Sequence, residues 1–185
     1  MSAPPTPRCA CCASPFAQPP GRRGFLGLAA AGLATAALPR AARAGNGTDY
    51  DSMLLTCIDP RFIDIVDHWM ADQNLKGKYS RFAIAGASIG VVAPAFERWA
   101  PAFWDNLAAS IELHHIKRVI VMNHRDCGAA ELAFGAEAIA NREAETALHR
   151  RIFASFQAQL TLRQPKAAFL GGLIGLDGRF DRLAG

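Results

Sequence analysis

The chain is predicted to be an α/β protein, with a mainly parallel central sheet of about four to five strands flanked by helices. Three observations predict it. Short apolar runs alternate with segments whose apolar residues recur at helical spacing. The run that reads best as a buried parallel strand, Arg118-Val119-Ile120-Val121-Met122, lacks the in–out alternation of a half-exposed strand, as expected for one buried on both faces. Residues 45–185 form one stretch of 141 residues without repeats or an internal linker, enough for a single core.

Taken in order, Met53-Leu54-Leu55-Thr56 reads as a first strand ending at Cys57. Pro60 can open a helix, because its missing N–H costs nothing in the first turn. Ile65/Val66, Trp69/Met70 and Leu75 then keep helical spacing. Arg81 to Ala85 reads as a second strand, and Gly86-Ala87-Ser88 as a turn. Residues 95–116 are expected to be helical with a break near Pro101; Trp104, Leu107, Ala108 and Ile111 hold the 3.6 period. The strand 118–122 leads to Asn123-His124, and a helix is expected after Cys127-Gly128. Leu148, Ile152, Phe156 and Leu160 lie four apart on one helical face, and Ala167 to Leu176 reads as a last strand.

The first 44 residues read as an export signal rather than as part of the fold. Gly21-Arg22-Arg23-Gly24-Phe25-Leu26 carries a twin arginine, Leu26 to Leu38 is an apolar run, and Ala42-Arg43-Ala44 has the small-residue cleavage pattern. That 13-residue run is too short for a hydrocarbon core that needs roughly 20. The expected product is a periplasmic or secreted protein exported by the twin-arginine route, with no membrane attachment after cleavage.

Removing this segment changes the charge. It holds five arginines and no acid, so the remainder has 15 of the 20 basic residues against all 16 acidic ones. The sequence pI near 9.0 belongs to the leader and is no argument for nucleic-acid binding. No basic patch with interleaved aromatics and no phosphate-cradling Gly-rich loop is present. Cys9, Cys11 and Cys12 also leave, so only Cys57 and Cys127 remain. In an exported protein, two cysteines raise the alternative of a disulfide.

What stands beside those cysteines points to a metal instead. Cys57 leaves one strand; His124 and Cys127 lie three apart where another strand becomes a helix. Two thiolates and an imidazole are what zinc takes as protein ligands when a fourth position stays open. A metal so held lowers the pKa of bound water to about 7. Asp59, two residues beyond Cys57, can accept a hydrogen bond from that water or bind the metal as a fourth ligand in a closed state. Arg61 can clamp Asp59 through a bidentate ion pair. In open α/β sheets ligands bind beyond the carboxyl ends of strands, and both motifs fall at such ends.

Cys57-x-Asp59-x-Arg61 followed by His124-x-x-Cys127-Gly128-Ala129 resembles the β-class carbonic anhydrases. The likeness runs through the helix and strand of Leu107–His124 and the last strand, Leu173–Asp177. The resemblance implies reversible hydration of carbon dioxide to bicarbonate by zinc-bound hydroxide, one Zn2+ per chain, and a homodimer or higher homo-oligomer. It implies zinc on Cys57, His124 and Cys127, and a catalytic dyad of Asp59 and Arg61. Members of that family carry an Arg-Asn-Ala-Gly-Asn-like run after the second strand; here the stretch is Ala83-Ile84-Ala85-Gly86-Ala87. Two alternatives follow: a non-catalytic zinc protein, or a hydrolase of a related small molecule such as carbonyl sulfide or carbon disulfide.

His68, His114, His115 and His149 lack ligand partners in sequence and are expected at the surface or in helix packing. His149 is placed on a polar helix face, where it could shuttle protons. Asp126 reads as a capping or solvated carboxylate, Arg150-Arg151 as a solvated face, and Trp69, Trp99 and Trp104 as core or interface anchors.

Overall fold

The computed structural model describes residues 49–185. The export-signal reading of residues 1–44 falls outside them. No helix among the described residues is long and apolar enough to cross a membrane.

The architecture is a five-stranded sheet between helices. Strand β1 (Ser52–Thr56) leads through a 3-10 turn, Pro60–Phe62, into α1 (Ile63–Asp72). Strand β2 (Tyr79–Ala83), a short helix α2 (Ser88–Val92) and a 3-10 segment, Pro94–Trp99, precede α3 (Ala100–His114). Strand β3 (Arg118–His124), α4 (Gly128–Phe134), a 3-10 turn at Ala136–Ile139 and α5 (Arg142–Arg163) follow. The chain closes with β4 (Ala168–Ile174) and β5 (Phe180–Ala184).

The strand order is β2-β1-β3-β4-β5. The first four strands run parallel, and β5 pairs antiparallel with β4. Register places Thr56 beside both Ala83 and Met122, and His124 beside Ile174. The carboxyl ends of β1 and β3 therefore share one edge, as their sequence positions predict.

Alternation along the central strands divides the core. Met53, Leu55, Val119 and Val121 face one side, against Phe103 and Leu107 of α3 and Phe153, Phe156 and Leu160 of α5. Leu54, Ile120 and Met122 face the other, against Val66 and Met70 of α1, with Phe62 and Leu75. Both faces are covered, which is why β3 reads as a continuous apolar run. The predicted stripe on α5 is the buried one: Leu148, Ile152, Phe156 and Leu160 are all 6% exposed or less. Asn141 caps that helix by accepting the Ala144 N–H at 2.8 Å.

Several boundaries differ from the sequence reading. Pro101 does not break a helix; it sits in the first turn of α3, where proline is tolerated. The segment before it is 3-10, with Phe96 out of helical conformation. The second strand is Tyr79–Ala83 rather than 81–85, and Ser88 begins α2. The last predicted strand, Ala167 to Leu176, is β4 and stops at Ile174; a fifth strand, β5, is not predicted, and the chain returns to it through Asp177-Gly178, with Gly178 at φ +79°. Trp104 is buried, whereas Trp99 is 39% exposed and stacks on Phe96.

Candidate metal centre

Cys57 follows β1 directly, His124 ends β3, and Cys127 stands immediately before α4. Parallel pairing of β1 with β3 brings these positions, far apart in sequence, to one edge. The two Sγ atoms and a ring nitrogen of His124 all lie within 4.8 Å of one another. Both cysteines are free thiols, so the disulfide alternative is not the state of this structure.

The surroundings orient each donor. His124 Nδ1–H donates to the Arg125 carbonyl at 2.7 Å, which leaves the Nε2 lone pair to face the cysteines. Phe62 stacks on the imidazole with centroids 4.3 Å apart and fixes its plane. His124 is 2% exposed, and its Nε2 is buried without a hydrogen-bond partner. A buried orphan nitrogen is costly, and a metal would satisfy it. Cys57, His124 and Cys127 could thus hold a metal ion, and two sulfurs with one nitrogen are a donor set that suits zinc.

The thiols are unequal. The adjacent Cys127 thiol, with the His124 imidazole and the Gly86 N–H beside it, pulls the Cys57 thiol down to about 4 despite its burial. Cys127, donating to that sulfur and buried, is pushed up. Burial opposes a charge on His124, yet the Cys57 sulfur and the Arg125 carbonyl hold its pKa above the ordinary value.

Asp59 and Arg61 form the expected bidentate pair. Arg61 Nη2 donates to Oδ2 at 2.6 Å and Nε to Oδ1 at 3.0 Å, and the Arg61 backbone N–H also reaches Oδ1 at 3.0 Å. These donors hold the carboxyl at about 2, so it is ionised at neutral pH. Its Oδ2 lies 3.8 Å from His124 Nε2, beside the sulfur–nitrogen cluster but not a member of it. Cys57 and His124 open onto a cleft of about 310 Å³ walled chiefly by Ile58, Phe62, Ile63, Val66, Met122 and Ile174, with Arg81 as its one charged wall.

Two loops support the centre through residues that sequence reasoning missed. Gly86 donates its N–H to Cys57 Sγ at 3.2 Å. Its φ of +77° favours glycine, and a Cβ there would lie 2.9 Å from Ala129 Cβ and 3.0 Å from Ile89 Cβ. Gly86→Ala is expected to cost about 1–3 kcal/mol by overpacking and backbone strain. Urea unfolding checks this; wild-type stability would show that the turn relaxes freely.

Two residues on, Ser88 donates from N and Oγ to Asn123 Oδ1 at 3.2 and 2.9 Å. Asn123 Nδ2 in turn donates to His149 Nδ1 at 3.0 Å. His149 is therefore not on a polar face: it is fully buried. On the other side, Glu145 is 4% exposed and pairs with Arg125. One signal could have found it, a carboxylate in line with Leu148 and Ile152 on an apolar stripe. Asp126 is solvated as expected, and Arg150 and Arg151 are exposed.

Burial, with the nearby positive charges of Arg125 and His124, pushes the His149 pKa down to about 4. The unfolded chain takes up that proton first, near 6.5. Stability is thus full above pH 6.5, falls as pH drops toward 4, and levels off below. The loss from this group between pH 8 and 5 is about 2 kcal/mol. Unfolding titrations of wild type and His149→Gln check it, since the variant should lose that part of the slope. Parallel pH profiles would contradict it.

Comparison with known proteins adds the following. No protein-family model matches the chain. An uncharacterized protein of Rickettsia conorii is 29% identical over 132 residues, which cover 71% of each chain. Among solved structures, a β-carbonic anhydrase of Aspergillus fumigatus aligns over 74% of this chain and 76% of its own, with 13% identity and a TM-score of 0.47. A carbonic anhydrase from Glaciozyma antarctica aligns over 83% of this chain and all of its own, with 19% identity and a TM-score of 0.47.

Proposed function

We propose that this chain is an exported zinc enzyme of β-carbonic-anhydrase type, catalysing the reversible hydration of carbon dioxide to bicarbonate. One observation carries the reading: the Cys57, His124 and Cys127 donors converge within 4.8 Å beside an Asp59 carboxylate already clamped by Arg61. Zinc held there would act as a Lewis acid and make a bound water nucleophilic at neutral pH.

The chain's own residues do the rest. Asp59, ionised and fixed from one side by Arg61, can only accept hydrogen bonds. It is therefore the group that orients a nucleophilic water beside the donor cluster, 3.8 Å from His124 Nε2. Arg61 occupies both carboxylate oxygens and so holds Asp59 back from ligating the metal itself. The apolar walls favour a small uncharged substrate over an anion, which supports entry of carbon dioxide and release of bicarbonate.

Stopped-flow carbon dioxide hydration by the zinc-loaded protein, from pH 6.5 to 9, is the test. Turnover well above buffer supports the reading. A zinc-loaded protein no faster than buffer overturns it and leaves a non-catalytic zinc protein. The same apolar cleft also favours a second reading, hydrolysis of carbonyl sulfide or carbon disulfide, which sulfide release would detect. Periplasmic or secreted location rests on the pattern of residues 21–44, and fractionation of cells expressing the full chain tests it. Assembly as a homodimer or higher oligomer is proposed from the family resemblance, and light scattering tests it.

A further inference from the structure

Helix α5 carries two buried polar side chains one turn apart, and each is tied to a different loop of the metal centre. Glu145 Oε1 accepts the Asp126 N–H at 2.7 Å, and Oε2 accepts from Arg125 Nη1 at 2.8 Å. Arg125 Nη2 also donates to Thr146 Oγ1 at 3.0 Å. Arg125 and Asp126 are the whole stretch between His124 and Cys127. Asp126 adopts φ +52°, a conformation that costs a non-glycine residue unless its surroundings hold it. The Arg125 carbonyl is the same group that accepts from His124 Nδ1. Glu145 thus grips both residues of a turn whose two ends are metal ligands.

His149 acts on the other loop. Its Nδ1 accepts from Asn123, whose Oδ1 holds Ser88, and Ser88 stands two residues from the Gly86 N–H on Cys57. Ser88, Asn123 and His149 are each 1% exposed or less. Packing alone does not call for such residues. An apolar side chain at 145 would continue the stripe of Leu148 and Ile152, and burying a carboxylate is expensive unless it is paired.

We propose that Glu145 and His149 are positioning residues for the metal centre: Glu145 holds the His124–Cys127 turn, and His149, through Asn123 and Ser88, holds the Gly86 turn against Cys57. The proposal rests on Cys57, His124 and Cys127 binding zinc. Neither residue touches the donor atoms; each acts through a loop that does. Outer partners of this kind typically carry about 10–100-fold in metal affinity.

The test is zinc affinity by chelator competition on the full chain, together with the absorption spectrum of the cobalt-substituted protein, which reports thiolate coordination and geometry. Glu145→Ala is expected to bind zinc about 10–100-fold more weakly, with altered thiolate charge-transfer bands. Glu145→Gln fills the same space but its amide nitrogen cannot accept, so it keeps one of two contacts and should fall between. Glu143→Gln, exposed on the same helix, should match wild type. His149→Phe should also weaken zinc and shift the cobalt bands, and Ser88→Ala is a milder cut in the same chain of bonds. Where Glu145→Ala or His149→Phe does not fold, Glu145→Gln and Ser88→Ala decide. Wild-type affinity and spectrum in the folded variants of either arm overturn that residue's role. A wild-type protein that takes up no zinc overturns the metal reading itself, and the first titration shows this before any variant is compared.

Discussion

Asp59→Ala is expected to keep its zinc and lose at least ~100-fold in carbon dioxide turnover. Asp59 is not in the donor cluster, so removing its carboxylate takes no ligand away. What goes is an ionised carboxylate 3.8 Å from His124 Nε2, the group that would orient a nucleophile beside the donor cluster. Arg61 would then lack its partner and could itself attract an anion, slowing bicarbonate release as well. Metal analysis beside stopped-flow kinetics separates the two properties. Turnover within threefold of wild type at full zinc content would remove Asp59 from the chemistry. Loss of zinc would instead mark it as a ligand.

Cys127→Ala is expected to lose both zinc and the stability that zinc confers. Cys127 is 2% exposed and directly precedes α4, so alanine there leaves a buried position facing the cluster without a donor atom. Two donors would remain, Cys57 and His124, too few for a closed protein half-shell around the ion. Ligand binding to the folded state stabilises it by about 4 kcal/mol when free zinc is 1,000 times the dissociation constant. Wild type should therefore unfold at higher temperature with zinc than with chelator, and Cys127→Ala should show no such difference. Full zinc content in Cys127→Ala would make the ligand assignment wrong.

Much of the scaffold is legible in the sequence because burial leaves a pattern. Val119, Ile120 and Val121 have no polar neighbour to break the run, and both sheet faces are covered in the structure. The stripe from Leu148 to Leu160 marks the buried face of α5 for the same reason. What misled the reading was local chemistry that the fold overrides. Pro101 looked like a break and is a helix start; the gain of a fixed φ outweighs an N–H that the first turn does not use. His149 sits between Leu148 and Arg150, so its neighbours predict a polar face. Helical rotation instead puts it beside Glu145, toward Asn123. The turn before β5 rests on Asp177-Gly178, a pair that could have been recognised.

The candidate centre divides along the same line. The spacing Cys57-x-Asp59-x-Arg61 and His124-x-x-Cys127 was determined by sequence alone, because each motif is local: a carboxylate and a guanidinium two residues apart can close on each other without help from the fold. That the two motifs meet was decided only by the tertiary structure, through the parallel pairing of β1 with β3, which puts both strand ends on one edge. The supports were decided there too. Gly86, Asn123, Glu145 and His149 reach the centre across gaps of about 20 to 35 residues, and no local pattern encodes a hydrogen bond between segments that only packing brings together.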